Sequence, residues 1–284
     1  MKSSAILIAF SCILIFSSSC RNNIHEKENW ANFFQKRGID SASFEVLDKT
    51  HEQVFYYNKE RTSRRFSPAS TFKIMNSLIA LETNLAPDID YIIQWDGIER
   101  WNKNWNQDLT MKQAFAYSSV PYYQALARKV GRETIQTYLD SVKYGNMQMG
   151  DSVDQFWLDG SLQITPDEQV KLLKMMYFDK LPFSKRSQRL VRSLMLQEKN
   201  DEYKLSYKTG TYPSETGYIC QLVGYLEKIE KQKGIETKKE ETNYRPYFFA
   251  MNFETKSKDI DLSQLTKMRV EITKEIFKDL EIIN

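Results

Sequence analysis

The chain has 284 residues, 41% hydrophobic and 27% charged, with a formal net charge of +3 and a pI near 8.5. This is globular composition, enough for one large domain or two small ones, and the charge is too mild to indicate nucleic acid as a partner. Two histidines, His25 and His51, both lie ahead of the apolar core sequences, which argues against a Ser-His-Asp triad or a multi-histidine metal site, so no metal is expected.

The first residues stand apart. Lys2 precedes an apolar run from Ala5 to Phe16 and then Ser17-Ser18-Ser19-Cys20. A basic start, an apolar run and small residues at the exit describe a secretory signal, and the run is shorter than the roughly 20 residues that span a bilayer. The residues before Cys20 resemble a bacterial lipoprotein cleavage site, where the cysteine becomes the lipidated N-terminus. Ser17 stands where that signal usually has leucine, and an ordinary signal peptide cut nearby is the other reading. The organisation expected is a signal peptide over 1–19, a polar tether over 20–38 and one globular domain over 39–284. The protein is expected to be exported and periplasmic, in contact with a membrane only through a lipid on Cys20. Cys12 leaves with the signal, so Cys220 has no internal disulfide partner and reads as a buried small residue.

Ser43 to Asp48 and Gln53 to Asn58 are apolar-rich, separated by charged residues, and suit a β-hairpin. Ser67-Pro68-Ala69-Ser70 opens a helix, with Ser67 as cap and Pro68 at the first position. Phe72, Ile74, Met75, Leu78, Ile79 and Leu81 cover most of its circumference, which predicts a central, buried helix. Residues 86–200 read as mainly helical. Met111 to Tyr117, Pro121 to Val130 closed by Gly131, Arg132 to Val142 and Pro166 to Phe178 are the helices, with a turn at Tyr144-Gly145-Asn146. Tyr203 to Thr209, Tyr218 to Lys228 and Tyr247 to Glu254 read as strands, 229–245 as a charged loop, and Leu262 to Ile282 as a closing helix. Strands at both chain ends with helices between them predict an α/β (α+β) domain. Its central antiparallel sheet is built from both chain ends around an inserted helical region.

Three segments carry chemistry. Ser70 and Lys73, three apart on a helix, share one face. Ser70 lies in the first turn, where free N–H groups favour negative charge. A hydroxyl needs a base to become a nucleophile, and Lys73, among apolar neighbours, is placed to be a neutral amine. On its own the pair carries little weight, since about one Ser-x-x-Lys arises by chance at serine and lysine frequencies of roughly 6–7%. Ser118, in the connection Ser118-Ser119-Val120 between two helices, offers a hydroxyl to relay a proton between Lys73 and a substrate nitrogen. Lys208-Thr209-Gly210 at a strand presents donors to an anion, and the glycine permits close approach. The order Ser70, Ser118, Lys208 is what is specific. It matches the penicillin-recognising set, except that Val120 stands where that set has asparagine.

With that substitution the chain resembles the class D β-lactamases, the oxacillinase family. The resemblance rests on Ser70-Thr71-Phe72-Lys73, Ser118-Ser119-Val120, Tyr144-Gly145-Asn146, Trp157-Leu158-Asp159-Gly160-Ser161-Leu162 and Lys208-Thr209-Gly210. It continues through Val223-Gly224-Tyr225-Leu226-Glu227, Tyr247-Phe248-Phe249-Ala250-Met251-Asn252 and Arg269-Val270-Glu271-Ile272-Thr273, from about residue 30 to the C-terminus. It implies the serine β-lactamase/transpeptidase-like fold and hydrolysis of β-lactam substrates through a Ser70 acyl-enzyme. It implies no cofactor beyond a CO2-derived carboxylate on Lys73, held by Trp157 and Ser70 and shielded by Val120 and Leu158. It assigns Lys208, Thr209 and Arg269 to the substrate carboxylate, and the N–H groups of Ser70 and Thr211 to an oxyanion hole. Three departures bear on substrate range: Cys220 with Gln221-Leu222 in place of a glycine and an aromatic pair, Thr211 and Ser214 after the Lys-Thr-Gly motif, and a longer 229–245 loop. A penicillin-binding transpeptidase or carboxypeptidase and a non-hydrolysing β-lactam sensor are the alternatives. Both a monomer and a homodimer remain open.

Overall fold

A computed structural model describes residues 23–233 and 240–284. The signal segment with Cys12 and Cys20, and the tip of the charged segment, lie outside the described residues. In chain order these residues form β1 (Ile24–Glu26), α1 (Ala31–Gln35), β2 (Ser41–Asp48), β3 (Gln53–Tyr57), α2 (Lys59–Thr62), α3 (Lys73–Glu82) and a small hairpin of β4 (Ile92–Ile93) and β5 (Leu109–Thr110). The helices α4 (Met111–Ala116), α5 (Val120–Val130), α6 (Arg132–Val142), α7 (Pro166–Tyr177) and α8 (Lys185–Met195) follow. Then come β6 (Leu196–Lys199), β7 (Tyr203–Pro213), β8 (Tyr218–Lys233), β9 (Glu240–Glu254) and α9 (Leu262–Asp279).

One seven-stranded sheet runs in the order β1-β3-β2-β9-β8-β7-β6. It is antiparallel as expected, except that β1 lies parallel to β3. The pairing of β2 with β9, from Ser41 opposite Glu254 to Asp48 opposite Tyr247, joins the two chain ends. Both faces of the central strands are buried, and alternation assigns side chains to two cores. Phe249, Met251 and Phe253 pack with Leu265, Ile272 and Ile276 of α9. Phe248 and Ala250 face the helical region around Phe72, Met75 and Leu78. Every residue of α3 from Lys73 to Leu81 is buried, so this helix is central as predicted.

Three expectations are corrected. The stretch read as a tether belongs to the domain: β1 pairs with β3, and Trp30 and Phe34 have no exposed surface. Trp30 meets Phe44 edge-on, and Phe34 stacks on Tyr57. The 229–245 loop is largely a ribbon, because β8 and β9 stay paired out to Lys233 opposite Glu240. Of the side chains described there, at 229–231 and 242–245, none is buried, so they leave no apolar alternation to read. Ser67 does not cap a helix. A 3-10 turn over Ala69–Phe72 comes first, α3 begins at Lys73, and the Ser67 hydroxyl donates to the Trp157 carbonyl at 2.8 Å.

Candidate active site

Ser70 sits in the 3-10 turn at the entrance to α3. One helical step on, Lys73 Nζ lies 2.7 Å from Ser70 Oγ. Lys73 is 1% exposed, and burial, aided by the charge of Lys208, pushes its amine well below the usual lysine range. The Tyr123 ring lies under Nζ, 5.4 Å away at its centroid. A buried amine of lowered proton affinity at hydrogen-bond distance from a hydroxyl is the arrangement a lysine base requires.

Lys208 enters from β7. Its Nζ donates to Ser118 Oγ at 3.0 Å, and also to the Thr209 carbonyl and hydroxyl. Ser118, read as a proton relay between Lys73 and a substrate nitrogen, is thus held by Lys208. Burial and the nearby Arg269 charge bring the Lys208 amine down to about 7. Ser118 has a φ of +51°, and Ser119 after it caps α5 by accepting from the Tyr122 N–H. The strained residue turns its hydroxyl toward β7 while the cap fixes the following helix.

Ser70, Ser118, Val120, Lys208, Thr209 and Thr211 border one cavity of about 810 Å³. Arg269 closes its floor. Its Nη1 donates to the Gly210 carbonyl at 2.8 Å and to Thr211 Oγ1 at 2.9 Å. Nη1 also reaches the Gln221 carbonyl at 3.2 Å, while Nε donates to the Leu265 carbonyl and Nη2 to Thr266 Oγ1. It is buried, where a helix residue read alone belongs in solvent. The cavity wall carries one carboxylate, Asp261, which caps α9. Lys208 and Arg269 beside Ser70 in this cavity make a receptor for an anionic acylating molecule.

Gly210 lets chain, not substrate, approach closely. A Cβ there would lie 2.8 Å from the Pro68 carbonyl oxygen and 3.0 Å from Thr71 Cγ2. Strand β7 thus abuts the turn that carries Ser70.

Trp157 reaches the site from behind. Its ring stacks on Phe72, with centroids 5.5 Å apart, and its Nε1–H is buried with no hydrogen-bond partner. Its carbonyl accepts from the Ala69 N–H at 2.9 Å as well as from Ser67. Leu158 beside it packs against the same core. The Tyr144-Gly145-Asn146 turn holds this loop: Asn146 donates to the Ser161 carbonyl and accepts from the Gln163 N–H. Gly145, at φ +55°, lies so close to Gln163 that a Cβ would sit 1.9 Å from its carbonyl oxygen.

Sequence reasoning missed two groups. Trp101 and Trp105, in contact edge to face, line the cavity; three tryptophans between 95 and 105 are the signal that points to them. Gln221, Gln169 and Ser67 form a buried polar chain next to the turn that carries Ser70. Their contacts join distant segments and leave no local pattern. Among the described residues no group of His, Cys, Asp or Glu is arranged to hold a metal ion.

A sheet closed by both chain ends, with Ser-x-x-Lys, Ser118 and Lys-Thr-Gly converging on one cationic cavity, defines the serine enzymes and receptors that react with penicillin. A family model described as "Penicillin binding protein transpeptidase domain" matches residues 27–235. The chain is 36% identical to "Beta-lactamase OXA-48" from Klebsiella pneumoniae, over 91% of this chain and 90% of that protein. It is 34% identical to "Probable beta-lactamase YbxI" from Bacillus subtilis, over 89% and 91%. The class D β-lactamase structure from Sebaldella termitidis superposes with a TM-score of 0.82 at 33% identity, covering 92% of this chain and 99% of that one. The chain belongs to the class D β-lactamase family.

Proposed function

We propose that this protein hydrolyses β-lactam antibiotics through an acyl-enzyme on Ser70, with a Lys73 that carries a CO2-derived carboxylate. The carrying observations are the buried Lys73 amine 2.7 Å from Ser70 Oγ, its proton affinity lowered by burial, and a buried Trp157 N–H without a partner. Only an uncharged amine takes up CO2, and an orphaned buried donor fits an anionic acceptor. When present, the carboxylate supplies an anionic base that can take a proton from Ser70 and later from water.

The chain's own residues do the rest. Lys208, Thr209 and Arg269 hold the substrate carboxylate, and the N–H groups of Ser70 and Thr211 receive the developing oxyanion. Ser70 Oγ attacks the lactam carbonyl and the C–N bond breaks. The proton lost by Ser70 returns to the leaving nitrogen through the Ser118 hydroxyl, which Lys208 keeps polarised. Water then cleaves the ester and frees Ser70. Val120 and Leu158 keep solvent from the Lys73 amine.

Steady-state hydrolysis of a chromogenic cephalosporin, with and without bicarbonate, tests the reading. Turnover should require bicarbonate, Ser70→Ala should be inactive, and Lys73→Ala should retain any drug mass it acquires on Ser70. Full turnover by Lys73→Ala refutes it. We further propose that the protein is exported to the periplasm and tethered by a lipid on Cys20, on the strength of Lys2, the Ala5 to Phe16 run and the small residues before Cys20.

A further inference from the structure

We propose that Gln221 is a positioning residue for the nucleophile: its buried side-chain amide clamps the left-handed turn that aims Ser70. The inference rests on the acyl-transfer reading above and concerns a position where this chain departs from the aromatic pair usual in its family.

Ala69, immediately before Ser70, has a φ of +47°. An L-residue with a Cβ avoids this region, and such a conformation persists where surrounding contacts over-determine it. Those contacts can be named. The Ala69 N–H donates to the Trp157 carbonyl, and the Ser67 hydroxyl donates to the same oxygen. The Ser67 carbonyl accepts from Gln221 Nε2 at 2.6 Å. Gln221 Oε1 in turn accepts from Gln169 Nε2 of α7 at 3.0 Å. Ser67, Gln169 and Gln221 are each at most 3% exposed, so no bulk water substitutes for these bonds.

The backbone of Gln221 closes the arrangement. It lies opposite Gly210 in the pairing of β7 with β8, and its carbonyl accepts from Arg269 Nη1 at 3.2 Å. Gly210 is the residue whose Cα abuts the Pro68 carbonyl. One residue therefore links the carboxylate-binding arginine, the strand edge and the strained turn. A leucine or an aromatic ring here would fill the space but leave the Ser67 carbonyl and the Gln169 amide unpaired. Such losses in a buried site misplace what the amide held.

The test uses the full-length protein in three forms: wild type, Gln221→Leu and Gln221→Glu. Active sites are titrated and all work is done well below each melting temperature. Single-turnover acylation by a penicillin separates the acylation rate from the dissociation constant of the initial complex. In Gln221→Leu the rate should fall about tenfold or more, with that dissociation constant changed by less than about threefold. Gln221→Glu should approach the wild-type rate at low pH, where a protonated carboxyl donates to the Ser67 carbonyl. It should fall further behind wild type at each higher pH, whereas the Gln221→Leu deficit should not depend on pH. Hydrogen exchange of the segment 66–72 should speed up in Gln221→Leu while that of β2 and β3 stays unchanged. If Gln221→Leu does not fold, Gln169→Leu removes the outer bond alone and should give a smaller loss of acylation rate, about threefold.

Wild-type acylation rates in the Leu variant overturn the proposal, as does faster exchange with unchanged acylation, which would make Gln221 merely structural. A wild type that no β-lactam acylates overturns the activity reading instead, and the exchange measurement then decides the clamp by itself.

Discussion

Replacing Trp157 by phenylalanine deletes one buried N–H and keeps a ring against Phe72 and Phe156, whose centroids lie 5.5 Å and 4.9 Å away. Two effects follow, of opposite sign. In the unmodified enzyme the Nε1–H has no partner, and an unsatisfied buried donor costs about 1–3 kcal/mol. Removing it offsets the packing lost with the smaller ring, so the melting temperature measured without CO2 should change little. With a carboxylate on Lys73 the same N–H becomes a charge-assisted donor, a contribution of about 1.5–3 kcal/mol. At about 1.4 kcal/mol per tenfold, the bicarbonate needed for half-maximal activity should rise roughly 10- to 150-fold. The assay is initial velocity on a chromogenic cephalosporin against bicarbonate in degassed buffer, paired with thermal melts. A bicarbonate curve identical to wild type would refute the reasoning. So would a melting temperature many degrees lower without CO2, since it would mean the N–H already had a partner.

The pH dependence of substrate affinity should report Lys208. Its amine is held near 7 by burial and Arg269, while an unfolded chain keeps that proton to about 10.4. The charge that grips the substrate carboxylate is thus lost as pH rises through 7, so KM for penicillins should increase above neutrality. Between 7 and 10 the unfolded state binds more protons at this position, so its contribution to stability rises with pH. Lys208→Arg should flatten the KM profile, and a flat wild-type profile would exclude the role. Arg269→Ala should lower kcat/KM by roughly 10- to 100-fold and also lower the melting temperature, because the Gly210, Gln221 and Leu265 carbonyls lose a buried donor; unchanged kcat/KM across several penicillins would rule out the anchor. Val120→Asp should place a second anion at the cavity wall and raise the bicarbonate requirement by like-charge repulsion; an unaltered requirement counts against proximity of Val120 to the Lys73 carboxylate. Cys20→Ala should move the protein from the membrane fraction to the soluble periplasm, and equal solubility of both forms would leave only a plain signal peptide.

Much of this molecule is legible from local pattern. Helix α5 announces itself through Pro121 and Gly131, and Ser70 with Lys73 through their three-residue spacing on a helix. What pattern cannot give is long-range satisfaction of buried polar groups. Arg269 reads as a solvated helix residue until β7 and β8 present it with carbonyls. Gln221 bonds to a residue 154 positions away, and nothing near it in sequence marks the partner. The role of Trp157 came from family resemblance, and the structure adds its unpaired N–H. Trp30 and Phe34 place two aromatics one turn apart, but the polar residues around them hide that signal, and the segment reads as a tether. The left-handed turns at Ala69 and Ser118 leave no trace in the sequence, since neither residue is a glycine or an asparagine.

The pairing of β2 with β9 sets the order in which this protein can come into existence. The two strands lie about 200 residues apart in the chain, and loops of that length close slowly. Until β9 is made, β2 and β3 have no sheet to join, and the aromatic residues of α1 have nothing to cover. Lys208 and Arg269 arrive only with the last third of the polypeptide, so no partial chain holds both the nucleophile and its anion-binding wall. A polypeptide threaded unfolded through a membrane benefits from that delay. If the chain is exported as proposed, its early segments cannot lock into a compact body that would jam the passage, and Ser70 gains Lys208 and Arg269 as neighbours only once the last third of the chain is in place.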